Sequence, residues 1–190
     1  MNFAPENFYH VYNRCFNKAL LYYQPSNYTY FLKKVAGLTK YCDILAYCLM
    51  PNHFHLLLYL AEESQGHGYL LQEDGLTGMQ VLVRKIGTIL SSYTQAINKQ
   101  EGRSGSLFQP KSKAKELNSR DQAFICFNYI HQNPLKARLV SKFEDWQYSS
   151  FNEYYRNYEG ICNKSIARTL LDLPEDPLAF YKDAYEVMLE

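Results

Sequence analysis

The pattern of apolar and polar positions along the chain predicts four strands and three long helices. Aromatic, β-branched and leucine-rich stretches of strand length lie at residues 8–15, 43–49, 53–60 and within 106–117. Apolar residues spaced three and four apart, which indicate helices, follow the candidate capping residues Ser26, Thr77 and either Asn118 or Ser119. The order of these elements predicts an α+β fold, a ferredoxin-like split β-α-β sandwich with an antiparallel sheet and helices on one face.

The remaining segments suggest one domain with a C-terminal helical tail. A length of 190 residues is enough for one core of ordinary size. We expect residues 1–150 to form the functional domain and residues 151–190 to form an acidic tail packed on the same domain, because the tail carries apolar residues such as Phe180. Residues 61–75 are acidic, contain glycine and lack periodicity, so we expect a mobile loop there.

Two histidines lie two residues apart in the third predicted strand, within Met-Pro-Asn-His-Phe-His at residues 50–55. Side chains two apart on a strand point to the same face, so His53 and His55 present two imidazoles side by side. Such a pair can hold a divalent metal, and its side chains lose little conformational freedom on binding because the strand already places them together. A packed, hydrogen-bonded pair of histidines is the alternative that this triplet leaves open.

The composition limits the classes of protein to which the chain can belong. Hydrophobic residues make up 47% of the chain, and the five cysteines are scattered without a C-x-x-C pair, which is typical of reduced thiols in a folded cytoplasmic protein. The apolar runs are too short for a membrane span, and the N-terminal residues lack the pattern of a signal peptide. We therefore expect a cytoplasmic protein that has no membrane partner.

Charge is distributed unevenly, although the formal net charge is +1. Residues 84–142 contain eleven Lys or Arg against three Asp or Glu, whereas residues 151–190 contain four basic and eight acidic residues. A basic middle beside an acidic tail is typical of a protein that binds a polyanion, and the alternative is a solvated helix face with loop lysines. The candidate polyanion contacts are Arg14, Arg84, Lys85, Lys111, Lys113 and Lys115.

A third ligand for a metal on the histidine pair is available in the last predicted helix. Tyr129 and Asn133 are four residues apart, hence on one helix face, and Pro134 indicates that Asn133 lies at or near the helix end. The Asn133 amide oxygen would be the third ligand, and His131 would replace it if the helix ended early.

Beside a metal that holds a phosphodiester, Tyr129 could attack the phosphorus and retain the DNA covalently. The alternatives are a helix-end cap for Asn133 and a packed aromatic for Tyr129.

Three stretches of the chain resemble the single-tyrosine HUH transposases, and especially the REP-associated tyrosine transposases. They are Ala-Tyr-Cys-Leu-Met-Pro-Asn-His-Phe-His-Leu-Leu-Leu at residues 46–58, Gly-Ser-Leu-Phe-Gln at residues 105–109 and Tyr-Ile-His-x-Asn-Pro-x-x-Ala-x-Leu-Val at residues 129–140. The opening Tyr-His-Val-Tyr-Asn-Arg at residues 9–14 and Trp-x-x-Ser-Ser at residues 146–150 match as well. The resemblance thus covers roughly residues 8–150.

The chain departs from the family pattern directly after Gln109. Pro110, Lys111 and Ser112 stand where the family usually has glycine, arginine and an aromatic residue. The DNA contacts and the sequence preference that the family has in that segment therefore cannot be transferred to this chain. The departure does not affect the implied metal site.

The resemblance implies a ferredoxin-like fold and a metal-dependent DNA strand transferase, an HUH endonuclease that acts in DNA transposition and recombination. The implied substrate is single-stranded DNA with a hairpin formed by an inverted repeat, which is cleaved and rejoined through a 5′-phosphotyrosine intermediate. It also implies Tyr129 as nucleophile and His53, His55 and Asn133 as ligands of Mg²⁺ or Mn²⁺. The sequence leaves open whether the protein acts as a monomer or as a homodimer.

Two other functions are compatible with the same residues. The first is a protein of the same fold that keeps hairpin recognition and does not cleave the DNA. A metal hydrolase would use water as the nucleophile, and it would cleave without forming an adduct on Tyr129.

Overall fold

The computed structural model describes residues 3–61, 72–73, 76–77 and 79–189. The strands within these residues are β1 Asn7–Arg14, β2 Asp43–Met50, β3 His53–Leu60, β4 Gln72–Glu73, β5 Leu76–Thr77 and β6 Lys113–Leu117. The α-helices are α1 Pro25–Ala36, α2 Met79–Gln100, α3 Arg120–Lys136, α4 Phe151–Tyr155, α5 Lys164–Leu171 and α6 Pro177–Leu189. Short 3-10 helices lie at Phe16–Lys18, Gly37–Lys40 and Phe143–Asp145.

Four strands form one antiparallel sheet in the order β2-β3-β1-β6. The α1 helix lies between β1 and β2 in the chain, and these two strands enclose β3. The α2 helix lies between β3 and β6, which enclose β1. This is the ferredoxin-like split β-α-β arrangement, so the predicted α+β fold is confirmed.

The two faces of the sheet differ because successive side chains on a strand alternate between them. On β3, Phe54 points to one face, where its ring centroid lies 5.2 Å from that of Phe31 in α1. His53 and His55 point to the opposite face, where His55 is paired with Tyr12 of β1. One face is therefore apolar beneath α1, and the other, which we call the histidine face, carries imidazoles.

Helices cover both faces of the sheet. Tyr93 of α2 packs on Phe31 with ring centroids 4.9 Å apart, so α1 and α2 share the Phe54 face. The α3 helix lies on the histidine face, where Tyr129 contacts His55. The expectation of helices on one face therefore holds for α1 and α2 and is corrected for α3. The reason is that β2 is buried at every position and β3 at nearly every position, which requires cover on both sides.

The helix starts follow from local hydrogen bonds. The α1 helix is preceded by Gln24, whose backbone N–H donates to the Asn27 side chain at 3.1 Å, so Ser26 lies inside the helix and does not cap it. Ser119, one of the two predicted caps of α3, accepts a hydrogen bond from the Gln122 backbone N–H at 3.2 Å. The start of α3 is therefore fixed where the sequence indicated.

The chain after α3 covers the outer edge of the sheet. The Leu49 N–H donates to the Tyr148 carbonyl, and the Ser150 N–H donates to the Tyr47 carbonyl. These bonds satisfy backbone groups of β2 that an edge strand otherwise leaves exposed.

The segment from residue 151 onwards packs on the rest of the chain. Phe151 and Tyr154 of α4 lie with ring centroids 5.3 and 5.4 Å from Phe180 of α6, and all three belong to the common core. The division of the chain at residue 150 stays a prediction.

Most of residues 61–75, predicted to form a mobile loop, lie outside the described residues. Among the described helices, none combines the length and the apolar character that crossing a membrane requires.

Replacing Phe31 with alanine is expected to lower the free energy of unfolding by about 3–5 kcal/mol, because the ring is fully buried against Phe54 and Tyr93. Urea unfolding followed by the fluorescence of Trp146, the sole tryptophan, measures this loss. Tyr30→Ala is the matched control at an exposed neighbouring position, and it should change the free energy by less than about 1 kcal/mol. Equal losses in the two variants would contradict the described core.

Candidate functional site

A cavity of about 700 Å³ opens between α3 and the histidine face of the sheet. Side chains from β1, β3, β6 and α3 reach it. The residues that line it are His10, Tyr12, Asn13, Arg14, His53, His55, Lys115, Glu116, Leu117, Asn118, Gln122, Ile125, Cys126 and Tyr129. Its wall therefore brings imidazoles, phenols, cations and amides together in one place.

The imidazoles of His53 and His55 lie side by side on β3, with ring centroids 4.9 Å apart. Nδ1 of His53 is 2.6 Å from Oδ1 of Asn52. Because an amide oxygen only accepts hydrogen bonds, Nδ1 of His53 carries the proton. Nε2 of His53 is then left with a lone pair, which is the form of imidazole that binds a metal.

His55 is held from the neighbouring strand by His10. Nε2 of His10 and Nδ1 of His55 are 2.8 Å apart, and the two rings are stacked. The His55 side chain is 5% exposed, and its Nε2 is buried without a hydrogen-bond partner among the described residues. A buried polar atom without a partner is unusual in a native protein, and a bound ion is one of its common explanations.

Burial keeps these imidazoles neutral. Desolvation lowers the pKa of His55 to about 2, with smaller contributions from His10, His53 and Arg14. Desolvation, followed by the charge of Lys115, lowers the pKa of His10 to about 4. Desolvation, followed by the charge of Arg14, also lowers the pKa of His53. A metal competes with protons for ring nitrogens, so imidazoles that are neutral at pH 7 are ready to bind one.

Tyr129 extends from α3 beside the histidines. Its ring centroid lies 5.5 Å from that of His55 and 6.0 Å from that of His10, each in an edge-on arrangement. Phe127 and Ile130 are fully buried and fix the rotation of α3 on the sheet, because neighbouring positions on a helix face different directions. Tyr129 is left 40% exposed at the cavity, so its phenol is accessible to a ligand there.

Asn133 lies one helical turn beyond Tyr129 and is not among the residues that line the cavity. Its Nδ2 donates to the Tyr129 carbonyl at 2.7 Å, which leaves Oδ1 as the atom that could bind a ligand. The α3 helix continues through Pro134 to Lys136, so Asn133 lies within its last turn. The role of Asn133 as a metal ligand stays a prediction.

His131 has a different environment from the cavity histidines. Its Nε2 is 2.7 Å from Oγ of Ser150, and its ring packs edge-on against Phe127 and Phe151. Because α3 does not end early, the condition under which His131 would replace Asn133 as a ligand is not met. Its contacts indicate a structural role.

The donors at the cavity fit a metal centre that includes oxygen ligands. Among the described residues, no three His, Cys, Asp or Glu side chains are grouped so that they could hold a metal ion. Two imidazoles therefore need amide or substrate oxygens to complete a set, and such a mixed set accepts several divalent ions. The unpartnered Nε2 of His55 is the structural observation that fits a bound cation.

Three of the candidate polyanion contacts lie on the histidine face. Arg14 at the end of β1 and Lys115 on β6 line the cavity. Lys113 lies two residues before Lys115 on the same face of β6, opposite Tyr12, and its ammonium is 5.9 Å from the centre of the Tyr12 ring. These cations therefore lie on the same face of the sheet as the histidines.

The other three candidate contacts lie away from the cavity. Lys111 is exposed in the segment before β6. Arg84 and Lys85 belong to α2 on the opposite side of the sheet, where the Lys85 ammonium is 5.2 Å from the centre of the Tyr41 ring. Their proposed contact with a polyanion stays a prediction.

Several cavity residues were not singled out by the sequence pattern. Gln122 and Ile125 lie seven and four residues before Tyr129, a spacing that places them on the same helix face. Ile125 is an apolar residue, yet the structure leaves it 65% exposed at the cavity. Tyr12, two residues after His10, could have been found from strand alternation alone.

No protein-family model matches the chain. It is 23% identical over 119 residues to a curated protein of Haemophilus influenzae named "Putative REP-associated tyrosine transposase", a match that covers 58% of this chain. The chain spans 59% of the length of that relative.

A solved structure of a REP-associated tyrosine transposase bound to a REP hairpin resembles this chain with a TM-score of 0.58. The two are 18% identical, and the match covers 85% of this chain and 86% of the other. At this identity the structural likeness shows a common fold. The resemblance to the REP-associated tyrosine transposases that the sequence motifs predicted is therefore confirmed.

Acid is expected to destabilise the protein through His131, because burial lowers its pKa to about 3 from an ordinary value of 6.5. Between these values the unfolded chain binds a proton that the folded chain excludes, so the free energy of unfolding falls as the pH decreases from 6.5 towards 3. One such group contributes up to about 1.4 kcal/mol per pH unit. In urea unfolding between pH 7 and pH 4, His131→Gln should therefore lose stability less steeply than the wild type.

The control for this measurement is Tyr30→Ala, which retains His131 and should keep the wild-type slope. An identical slope in wild type and His131→Gln would show that His131 does not contribute to the pH dependence.

Proposed function

We propose that the protein is a metal-dependent DNA strand transferase that cleaves and rejoins single-stranded DNA at hairpin sites, with a 5′-phosphotyrosine link to Tyr129. His53 and His55 are the proposed metal ligands from the sheet, and Asn133 is the proposed ligand from α3. The proposed ion is Mg²⁺ or Mn²⁺.

The observation that supports this proposal most directly is the meeting of a phenol and two imidazoles from separate elements in one cavity. The ring of Tyr129 lies 5.5 Å from that of His55, which itself lies 4.9 Å from that of His53. A purely structural cluster would be expected to satisfy its buried polar atoms. Nε2 of His55 has no such partner among the described residues, which favours a cluster that binds a ligand.

The side chains of the cavity are suited to a phosphodiester. A divalent ion, when bound there, would neutralise charge on the scissile phosphate and favour attack on its phosphorus. His53 and His55 offer two neutral nitrogens for that ion. Arg14 and Lys115 add fixed positive charge at the cavity wall, which attracts the phosphates on either side of the scissile bond.

The proposed step begins with attack of the phenolic oxygen of Tyr129 on the phosphorus. A bond forms between this oxygen and phosphorus, and the bond from phosphorus to the 3′ oxygen breaks. The phenol loses its proton, and the departing oxygen gains one to become a free 3′ hydroxyl. Attack by such a hydroxyl on the phosphotyrosine reverses the step, so rejoining needs no nucleotide cofactor.

The hairpin substrate is proposed from the comparison and from the charge of β6. The solved neighbour is bound to a REP hairpin. Lys113 and Lys115 alternate on the histidine face of β6, which is an edge strand, and Lys111 precedes them at the same spacing. Lysines arranged in this way would hold the DNA backbone without reading its bases. Arg84 and Lys85 would contact DNA that reaches the opposite side of the sheet.

Incubation with Mn²⁺ and a single-stranded hairpin oligonucleotide labelled at its 3′ end is expected to give a covalent adduct. The downstream fragment would remain on the protein through its 5′ phosphate, so the label should move with the protein on a denaturing gel. The oligonucleotides would be inverted repeats taken from the DNA that flanks the coding region. Tyr129→Phe should form no adduct, whereas Tyr30→Phe, an exposed tyrosine of α1, should form as much as the wild type.

The other outcomes separate the alternatives. Tight hairpin binding without metal-dependent cleavage would favour a protein that only binds the DNA. Cleavage without an adduct, unchanged in Tyr129→Phe, would favour a hydrolase in which water is the nucleophile. An adduct that persists in Tyr129→Phe would assign the nucleophile to another residue.

The double variant Lys113→Ala/Lys115→Ala is expected to bind hairpin DNA more weakly and with a smaller dependence on salt. Loss of two phosphate contacts should reduce the slope of log K against log salt by about 1.4–1.8. Fluorescence anisotropy measures the DNA affinity at salt concentrations from about 50 to 200 mM, a range over which the affinity changes strongly. Lys33→Ala/Lys34→Ala on α1 removes the same charge on the other side of the sheet, and its slope should match the wild type. Equal slopes in all three proteins would rule out a DNA path along β6.

A further inference from the structure

We infer that His10 is a positioning residue for His55: Nε2 of His10 accepts a hydrogen bond from Nδ1 of His55 and thereby leaves Nε2 of His55 free to bind a cation. The inference rests on the proposed function and deepens it, since it adds a residue of β1 that supports a proposed ligand set drawn from β3 and α3.

The geometry shows a direct bond between two imidazoles. Nε2 of His10 and Nδ1 of His55 are 2.8 Å apart, and the rings are nearly parallel, with an interplanar angle of 25°. In such a bond one ring nitrogen must donate and the other must accept. The two neutral rings therefore share one proton in the bond, and its position fixes the tautomer of each.

The surroundings of His55 indicate the direction of this bond. If His10 donated, His55 would carry its own proton on Nε2, which is buried and has no acceptor among the described residues. Buried N–H groups without an acceptor are rare. If His55 donates, its Nε2 presents a lone pair instead, and a cation can satisfy that atom.

His53 follows the same arrangement with a different acceptor. Its Nδ1 is 2.6 Å from Oδ1 of Asn52, so it too has a proton on Nδ1 and a lone pair on Nε2. Metal-binding histidines generally donate their other ring N–H to an acceptor that orients the ring. Both proposed ligands of β3 therefore have the partner that this role requires, and for His55 that partner is His10.

His10 is itself held by its neighbours. Its ring stacks on Tyr12 with centroids 4.7 Å apart and an interplanar angle of 30°, and it makes an edge contact with Tyr129. Because it accepts at Nε2, its own proton lies on Nδ1. The contact with Tyr129 means that loss of activity alone would not reveal how His10 acts, so the test needs a readout at His55.

The test reads the tautomer of His55 directly in the metal-free full chain labelled with ¹⁵N at histidine. Long-range ¹H–¹⁵N correlations at pH 7 distinguish a ring protonated at Nδ1 from one protonated at Nε2, and the His55 signals are assigned by their loss in His55→Gln. The wild type is expected to show His55 protonated at Nδ1. His10→Leu removes the acceptor and should give the Nε2 tautomer or a mixture. His10→Gln places a side-chain oxygen near the original Nε2 and should retain the wild-type tautomer.

A second measurement follows metal binding. Electron paramagnetic resonance of free Mn²⁺ gives the affinity of each variant. His10→Leu should bind Mn²⁺ about 10–100-fold more weakly than the wild type, and His10→Gln should recover most of this loss. His131→Gln, at a buried histidine bonded to Ser150 outside the cavity, is the matched control and should change neither reading.

Two results would overturn the role of His10: a wild-type His55 protonated at Nε2, or an unchanged tautomer and Mn²⁺ affinity in His10→Leu. If His10→Leu does not fold, the wild-type tautomer and the Mn²⁺ affinity of His10→Gln decide the question. A wild-type protein that shows the expected tautomer but forms no adduct would contradict the proposed function and leave the His10–His55 bond intact. Adduct formation with His55 protonated at Nε2 would contradict the role of His10 alone.

Discussion

The alternation of side chains along β3 is the constraint on which the rest of the structure depends. Phe54 packs on Phe31 in the core beneath α1, and its two neighbours in the strand must therefore point to the opposite face. A shift of one residue in the strand register would place both imidazoles in the apolar core and Phe54 in the cavity. An apolar contact on one side of the sheet thus fixes the position of His53 and His55 on the other.

The position of Tyr129 depends in turn on the segment that follows α3. Phe127 and Ile130 set the rotation of α3 on the sheet. Nε2 of His131 is in turn hydrogen-bonded to Oγ of Ser150, which follows α3 in the chain. The Ser150 hydroxyl also donates to the carbonyl of Tyr47 in β2. The helix that carries the phenol therefore contacts both the sheet beneath it and the segment that covers the sheet edge.

The sequence was sufficient for the topology and for part of the site, and the reasons are physical. Element order predicted the sheet because few connections satisfy short, right-handed crossovers, and a spacing of two on a strand was enough to place His53 beside His55. The side of the sheet that α3 covers was not predicted, although the continuous apolar run Leu56–Leu58 is typical of a strand buried on both faces. The bond between His10 and His55 joins residues 45 positions apart, and it depends on a register between strands that local patterns do not specify.

The positive charges at the cavity affect both ligands that the proposed function requires, the divalent cation and the phosphodiester. The positive charge of Arg14 contributes to the lowered pKa of both His53 and His55, so its field is felt at the imidazoles. The same field opposes a bare divalent cation and favours a phosphate. A phosphodiester that enters the cavity would reduce this repulsion, and a cation would reduce the repulsion between the phosphate and the incoming phenolate. If the proposed function holds, each ligand would increase the affinity for the other by the same factor, so the protein would bind the metal ion more tightly with DNA than without it.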